Sequence, residues 1–303
     1  MVSETILVTG ATGFLGKIIC QELVSDYTVD TLSRSSNNTY RVDLAREIPI
    51  FEKQFRTIVH AAGKAHVIPQ TKKEENEFYE TNVLGTRHLV DALERSGRLP
   101  LEFVFISSVA VYGLEEGELI TEDFALLGET PYAKSKIQAE VYLLDWCKAN
   151  SVRLTILRLP LLVGQNPPGN LGAMIRMMNR GLYLGIGSGS ARKSMVLATE
   201  VAKFIPKVAQ TGGIYNLTDG YHPSVFEFEN EVAKALGRSK PFRFPDSFIN
   251  TVAKVGDVWG ERFPVNSNKF KKLTTSLTFS DGKARELANW QSLSVIDHLP
   301  NLR

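Results

Sequence analysis

The stretch ILVTGATGFLG, residues 6–16, runs from an apolar β-rich segment into a turn carrying Gly10, Gly13 and Gly16, and then into a helical pattern over 17–23. A turn without side chains at those positions lets backbone amides approach a pyrophosphate, which then meets the positive end of the following helix. Gly16 lets that helix lie close to the sheet. The spacing G-x-x-G-x-x-G differs from G-x-G-x-x-G, so the segment reads as a variant of the same dinucleotide-binding turn. Phe14 and Leu15, in the same turn, join the three glycines as candidate cofactor contacts.

Outward from this turn, short β-rich runs alternate with longer helical patterns. Strands are expected at 5–9, 29–33, 57–61, 103–107 and 153–158, with helices near 16–23, 82–96 and 133–149. Such alternation predicts crossover units and an α/β fold, a Rossmann-type doubly wound parallel sheet whose covered strands are nearly all apolar. The order changes after Pro160. Residues 165–172 and 185–190 are rich in Gly, Pro, Asn or Ser and read as loops. A strand at 213–218 and a helix at 225–236 behind a Ser224 cap follow. The expected organisation is a dinucleotide-binding unit over 1–164, joined by a later strand from 196–218. A smaller, interwoven C-terminal unit spans 165–303, with weak periodicity over 241–275.

The chain has 303 residues, 43% hydrophobic and 22% charged, with a formal net charge of +2. That is enough to bury a sizeable core. The longest basic cluster, Lys269 with residues 270–273, is too short to make a nucleic-acid face, so no nucleic-acid partner is expected. Cys20 and Cys147 both read as small buried apolar side chains. Arg158 divides the best apolar run, and no stretch reaches the roughly 18 to 20 residues of a membrane span. With no leader pattern at the N-terminus, the reading is a soluble cytoplasmic protein. It assigns no metal site.

The second strand should end near the adenosine ribose, about 20 residues beyond the glycine turn, where a carboxylate favours an unphosphorylated 2′-hydroxyl. It ends instead in Ser33, Arg34 and Ser35, and Asp30 lies too early in the strand. A guanidinium beside small hydroxyls suits a 2′-phosphate, so NADP(H) is preferred, with NAD(H) the alternative. Asp43 is a further candidate, toward the adenine.

Tyr132 and Lys136 are four apart at the start of a helix and therefore share a face. A phenol with pKa near 10 is a poor base at neutral pH, and a nearby ammonium is expected to stabilise its phenolate. Ser108 follows the strand at 103–107, at the carboxyl edge where parallel α/β sheets hold their ligands. It is placed to hydrogen-bond the substrate oxygen whose proton Tyr132 moves.

These residues lie within a longer series: TGATGFLG (9–16), Asp43-Leu44, HAAG (60–63), Asn82 within TNVLGT, SSVAVYG (107–113), PYAKSK (131–136) and LRLPLLVG (157–164). In that order the chain resembles the extended short-chain dehydrogenase/reductase family, in its branch of nucleotide-sugar epimerases, dehydratases and reductases. The resemblance implies a catalytic set of Ser108, Tyr132 and Lys136. It adds Asn82, near the site, and a cofactor-side turn through His60, Ala61, Ala62 and Gly63, with Asp43 and Leu44 beside the cofactor. GLYLGIGSG (181–189), RKSMV (192–196) and DGKARELANW (281–290) are similar to later segments of the branch, where a smaller domain holds a nucleoside diphosphate. Arg192 is then a candidate diphosphate contact, with Lys193 its rival, and Asn166 and Asn170 are candidates facing nucleotide or sugar. Homodimers formed through helices are common in that family; the sequence itself leaves the oligomeric state open.

Dehydratases of the branch carry an Asp-Glu pair after the active hydroxyl; this chain has Val109 and Ala110, which argues against elimination chemistry. The NADP-leaning strand end places first a reductase of a UDP-linked 4-keto-hexose, renewing its cofactor each turnover. Residues 61–67 (AAGKAHV) are similar to the A-A-R-V-H-V stretch of reductases making 6-deoxy-N-acetylhexosamine nucleotides. Gly63 and Lys64 depart from that stretch, and Lys64 stands as a substrate-side candidate. A 4-epimerase of a UDP-hexose or UDP-N-acetylhexosamine is the first alternative, and a non-catalytic dinucleotide-binding regulator the second.

Overall fold

A computed structural model describes residues 4–245 and 274–299. The basic stretch 269–273 and most of 241–275 lie outside them. Seven strands form one parallel sheet: β1 (Thr5–Thr9), β2 (Thr28–Ser33), β3 (Tyr40–Arg41), β4 (Thr57–His60), β5 (Glu102–Ser108), β7 (Arg153–Leu159) and β11 (Gly213–Asn216). Their spatial order is β11-β7-β5-β4-β1-β2-β3. The strand returning from the C-terminal half, β11, pairs with β7 at the sheet edge.

Alternation along β1 divides the core. Ile6 and Val8 face one layer, packing with Ile19 of α1 (Phe14–Leu23) and with Val201, Ile205 and Val208 of α6 (Ala198–Thr211). Leu7 faces the other, with Leu89 and Leu93 of α3 (Gly85–Ser96) and Leu143 and Trp146 of α4 (Pro131–Ala149). Each such aliphatic side chain contributes about 1.5–3 kcal/mol when fully buried. With both faces covered, the strands carry no polar alternation.

Three smaller parallel pairs flank the sheet. They are β8 (Leu161–Val163) with β10 (Met195–Leu197), β9 (Leu184–Ile186) with β12 (Phe242–Phe244), and β6 (Gly117–Ile120) with β13 (Leu277–Phe279). With them are α5 (Gly169–Asn179), α7 (Val225–Ala235) and α8 (Gly282–Ala288). Ser224 caps α7 reciprocally: its hydroxyl accepts the Glu227 N–H, and the Glu227 carboxylate accepts the Ser224 N–H.

Two expectations are corrected. The helix foreseen from residue 82 begins earlier, as α2 (Lys72–Tyr79), and passes through a π turn (Glu80–Leu84) into α3. Only Phe78 of α2 is buried, so its sequence has no apolar period to read. Cys147 is buried as expected, but Cys20 is only half-buried on α1. No helix among the described residues is long and apolar enough to cross a membrane.

Candidate active site

The glycine turn is a cradle built at close range. Gly10 has φ +68°, and a Cβ there would lie 2.6 Å from the Ala62 backbone nitrogen. A Cβ on Gly16 would lie 2.1 Å from the Gly10 carbonyl oxygen. Gly13, in extended conformation, stands at the N-cap of α1 without a capping side chain. The first amides of α1 therefore point from a glycine-lined turn at the carboxyl end of β1, an arrangement that fits a pyrophosphate.

The neighbouring strand end is pinned by buried side chains. The Ala62 N–H donates to Thr9 Oγ1 (3.2 Å), which lies 2.6 Å from His60 Nδ1. His60 Nε2 lies 2.9 Å from Thr86 Oγ1, whose own proton goes to the Asn82 carbonyl (2.6 Å). That donor at Thr86 leaves its oxygen to accept, which assigns the Nε2–H tautomer of a neutral ring. Burial, assisted by the Lys136 charge, holds the His60 pKa down to about 3. With both nitrogens engaged, the ring fixes the turn through residues 61–63, and the turn rather than the imidazole faces the glycine cradle.

Asn82, in the π turn, joins this segment to the helix carrying Tyr132. Its Oδ1 accepts the Lys64 N–H (2.7 Å), and its amide donates to the Lys64 carbonyl (3.1 Å) and Ser135 Oγ (2.8 Å). Ser135 donates in turn to the Tyr132 carbonyl (2.7 Å). A Cβ on Gly63 would lie 3.0 Å from Asn82 Oδ1, so the absence of a side chain there lets the loop lie close against the asparagine. Lys64 pairs with Glu77 and stands over the Phe78 ring, whose edge meets Tyr132.

Helix α4 starts where Thr130 accepts the Ala133 N–H and Pro131 occupies the first turn, which puts Tyr132 in that turn. Ser108 ends β5, caps the short 3₁₀ turn Val109–Tyr112 by accepting the Ala110 N–H, and lies beside the Tyr132 phenol. Lys136 donates to the Ile106 carbonyl (2.8 Å) and lies 4.6 Å from the Phe105 ring centre. The expected lowering of the Tyr132 pKa is not found. Desolvation raises it, and the Ser108 hydrogen bond opposes only part of that rise. The lysine is the group brought toward neutrality, its pKa lowered to about 8 mainly by burial.

The structure distributes the other candidates unevenly. Ser33 is buried and accepts the Ser35 N–H (3.1 Å), while Arg34 and Ser35 are exposed. Asp30 pairs with Lys53 at 2.5 Å, well inside β2. Asp43 accepts the Ala45 N–H, and the Leu44 carbonyl accepts from His88 Nδ1 (2.7 Å), which docks this segment on α3. The loop bearing Asn166 (φ +53°) runs from Gly164, packed on Phe14, to Gly169, packed on His66; Asn170 follows in α5. Arg192 is exposed, its guanidinium donating to the His222 carbonyl (2.9 Å). Burial lowers the pKa of Lys193.

Sequence reasoning missed a buried polar cluster below Lys136, comprising Glu140, Arg158, Ser107, Tyr112 and Asn216. Its signals were a lone arginine in an apolar strand and a carboxylate one helical turn after the lysine.

A cradle that fits a dinucleotide, with a buried ammonium and a phenol beside a serine at the end of β5, is the arrangement of an enzyme of the extended short-chain dehydrogenase/reductase class. Residues 6–218 match the NAD dependent epimerase/dehydratase family, and the chain belongs to that family. It is similar, at 26% identity over 299 residues, to the N-acetyl-alpha-D-glucosaminyl-diphospho-ditrans,octacis-undecaprenol 4-epimerase of Escherichia coli O157:H7, covering 93% of this chain and 88% of that one. It is 30% identical over 258 residues to a UDP-glucose 4-epimerase of Vibrio cholerae, covering 78% and 76%. The fold is similar to that of UDP-glucose 4-epimerase from Thermotoga maritima, solved with UDP-glucose, with TM-score 0.75 and 19% identity over 97% of this chain and 96% of that chain. RMD from Pseudomonas aeruginosa complexed with NADPH gives TM-score 0.75 and 20% identity over 98% and 96%. At these identities the two structures speak for the fold.

Proposed function

We propose that this chain is a dinucleotide-dependent 4-epimerase of a diphosphate-linked hexose or N-acetylhexosamine, with a UDP-sugar the first substrate to try. The observation that carries the reading is Ser108 set beside the Tyr132 phenol, with buried Lys136 one helical turn on, in a chain whose first curated relatives are 4-epimerases matched over most of both chains. This ranks the epimerase above the reductase that the sequence placed first.

Tyr132 removes the proton from the sugar hydroxyl as the ring carbon is oxidised, and returns it on reduction. Ser108 shares that oxygen and orients it. Lys136 lies on the cofactor side and, while protonated, favours the phenolate. A bound dinucleotide would supply the hydride acceptor and donor for this exchange. Gly10, Gly13, Phe14, Leu15 and Gly16 would hold its pyrophosphate end, with the backbone of residues 60–62 and Asn82 closing the same edge. Arg192, Asn166, Asn170 and Lys64 are the proposed substrate contacts. The sugar must present both faces to one hydride site, so its anchorage has to be on the diphosphate rather than the ring.

The β2 end favours a second reading: Ser33, exposed Arg34 and Ser35 offer a cation and no carboxylate, which suits NADP(H) and a reductase that consumes it. One experiment separates the two. Purified protein is incubated with UDP-glucose or UDP-N-acetylglucosamine plus NAD, and in parallel with UDP-4-keto-6-deoxy-N-acetylglucosamine plus NADPH. Interconversion of 4-epimers without net cofactor change is expected; stoichiometric NADPH oxidation would replace it with the reductase. Dinucleotide binding with no turnover in either arm would favour a regulatory protein.

A further inference from the structure

Below Lys136 the sheet and α4 enclose an ionic cluster for which the reaction outlined above has no use. Arg158, on β7, donates through Nε and Nη2 to the Glu140 carboxylate, the closest contact being 2.8 Å. Its Nη1 reaches the Tyr112 hydroxyl (3.1 Å) and the Glu122 carbonyl (3.2 Å). Ser107 donates to Glu140 Oε1, and Tyr112 donates to Asn216 Oδ1 (2.7 Å). Glu140 is 0% exposed and Arg158 4%.

The charges do not balance. On its own helix Lys136 has Tyr132 one turn before it and Glu140 one turn after it. From β4 it faces His60, which is neutral. From β5 it meets the Ile106 carbonyl and the Phe105 ring, while the Ser107 hydroxyl, Arg158 and Tyr112 belong to the cluster around Glu140. The Glu122 carboxylate is turned away, accepting the Asn216 N–H (2.7 Å). Two buried cations thus lie in the field of one carboxylate, Arg158 hydrogen-bonded to it and Lys136 one helical turn away. A fully buried Arg–Glu pair with this geometry would be complete without Lys136, and the lysine is left with a fraction of its field.

We propose that Glu140 is a positioning residue for the Tyr132–Lys136 pair: its carboxylate, divided between Arg158 and the ammonium one helical turn away, decides how readily Lys136 carries its charge, with Arg158 limiting the share. The significance for catalysis rests on the function proposed above; the electrostatic division does not. Burial pushes Lys136 down and Glu140 holds it up, in accord with that arrangement. A merely structural ion pair would stabilise the fold without tuning the lysine.

Charge arithmetic supplies the test. Three variants of the full chain are titrated by NMR using lysine labelled with ¹³C at Cε, the Lys136 signal being assigned by its loss in Lys136→Arg. In Glu140→Gln two cations remain without a carboxylate, and the midpoint should fall by about one pH unit. In Arg158→Met the carboxylate serves Lys136 alone, and the midpoint should rise by about as much. The double variant removes both charges and should return close to the parent value; because it replaces a buried pair by neutral groups, it is also the variant expected to fold best. If Glu140→Gln does not fold, the other two decide. An unchanged midpoint in either single variant, or a double variant that moves as far and in the same direction as Arg158→Met, overturns the proposal. Should the midpoints move as stated while no sugar nucleotide is turned over, the electrostatic role stands and the functional reading fails.

Discussion

Two regions carry the candidate residues, and they are built differently. Along the carboxyl ends of β1, β4 and β5, polar side chains are buried and satisfied several times over: His60 through both nitrogens, Asn82 through three bonds, Lys136 by a carbonyl and a ring face. In the loops of the C-terminal half, Asn166 and His222 sit in left-handed backbone, and exposed Arg192 is fastened by the His222 carbonyl. Buried hydrogen-bonded groups can move only at the cost of leaving a donor or acceptor unmet, about 1–3 kcal/mol each. Loop residues bear no such penalty. The difference teaches that the proposed reacting groups are held by buried hydrogen bonds, while the proposed substrate contacts Asn166 and Arg192 lie on exposed loop segments.

That contrast can be broken. The largest effect should come from Tyr132→Phe, which is expected to lower turnover by about 10³-fold while thermal stability and dinucleotide affinity stay near the parent. Steady-state rates beside a fluorescence binding titration would check it, and turnover within tenfold of the parent would remove Tyr132 from proton transfer. Next is a pH effect on the rigid region. His60 titrates near 3 in the folded chain against an ordinary 6.5, so below pH 6.5 the unfolded state takes up a proton that the native state refuses. Stability should therefore fall as pH drops from 6.5 toward 3, by about 3 kcal/mol at pH 4 from this group. Urea unfolding at a series of pH values would show the slope, and His60→Gln should flatten it.

The loop side should respond more mildly. Arg192→Ala is expected to raise KM for a sugar nucleotide about tenfold with kcat within about threefold; a collapse of kcat instead would mean that this arginine belongs with the rigid set. Arg34→Asp should shift the ratio of NADPH to NADH affinity by about fivefold toward NADH, and an unmoved ratio would leave the β2 end without a part in cofactor choice.

The same contrast governs what could be read from sequence. Local rules suffice for the glycine turn, the apolar strands, the Ser224 cap and the i, i+4 spacing of Tyr132 and Lys136, because each depends on neighbours within a few residues. Helix α2 escaped notice because Lys72–Tyr79 is polar and begins from a Thr71 cap rather than an apolar face. The π turn that brings Asn82 to Ser135 depends on a contact spanning 53 residues. Arg158 with Tyr112, and Tyr112 with Asn216, are likewise long-range pairings. The direction of the Tyr132 shift was misjudged for a related reason: spacing shows that an ammonium is close, but desolvation depends on everything that covers the phenol.

The hydrogen bonds through His60 have a polarity. From the Ala62 N–H to Thr9, from Thr9 to Nδ1, from Nε2–H to Thr86 and from Thr86 to the Asn82 carbonyl, each group passes its proton the same way. Reversing the imidazole would require every hydroxyl in the line to rotate at once, inside a packed layer. The Nε2 proton is therefore a captive one, and its resonance should persist in water long after exposed imidazole protons have exchanged. Its disappearance would act as a clock for opening of the strand ends beneath the cofactor turn.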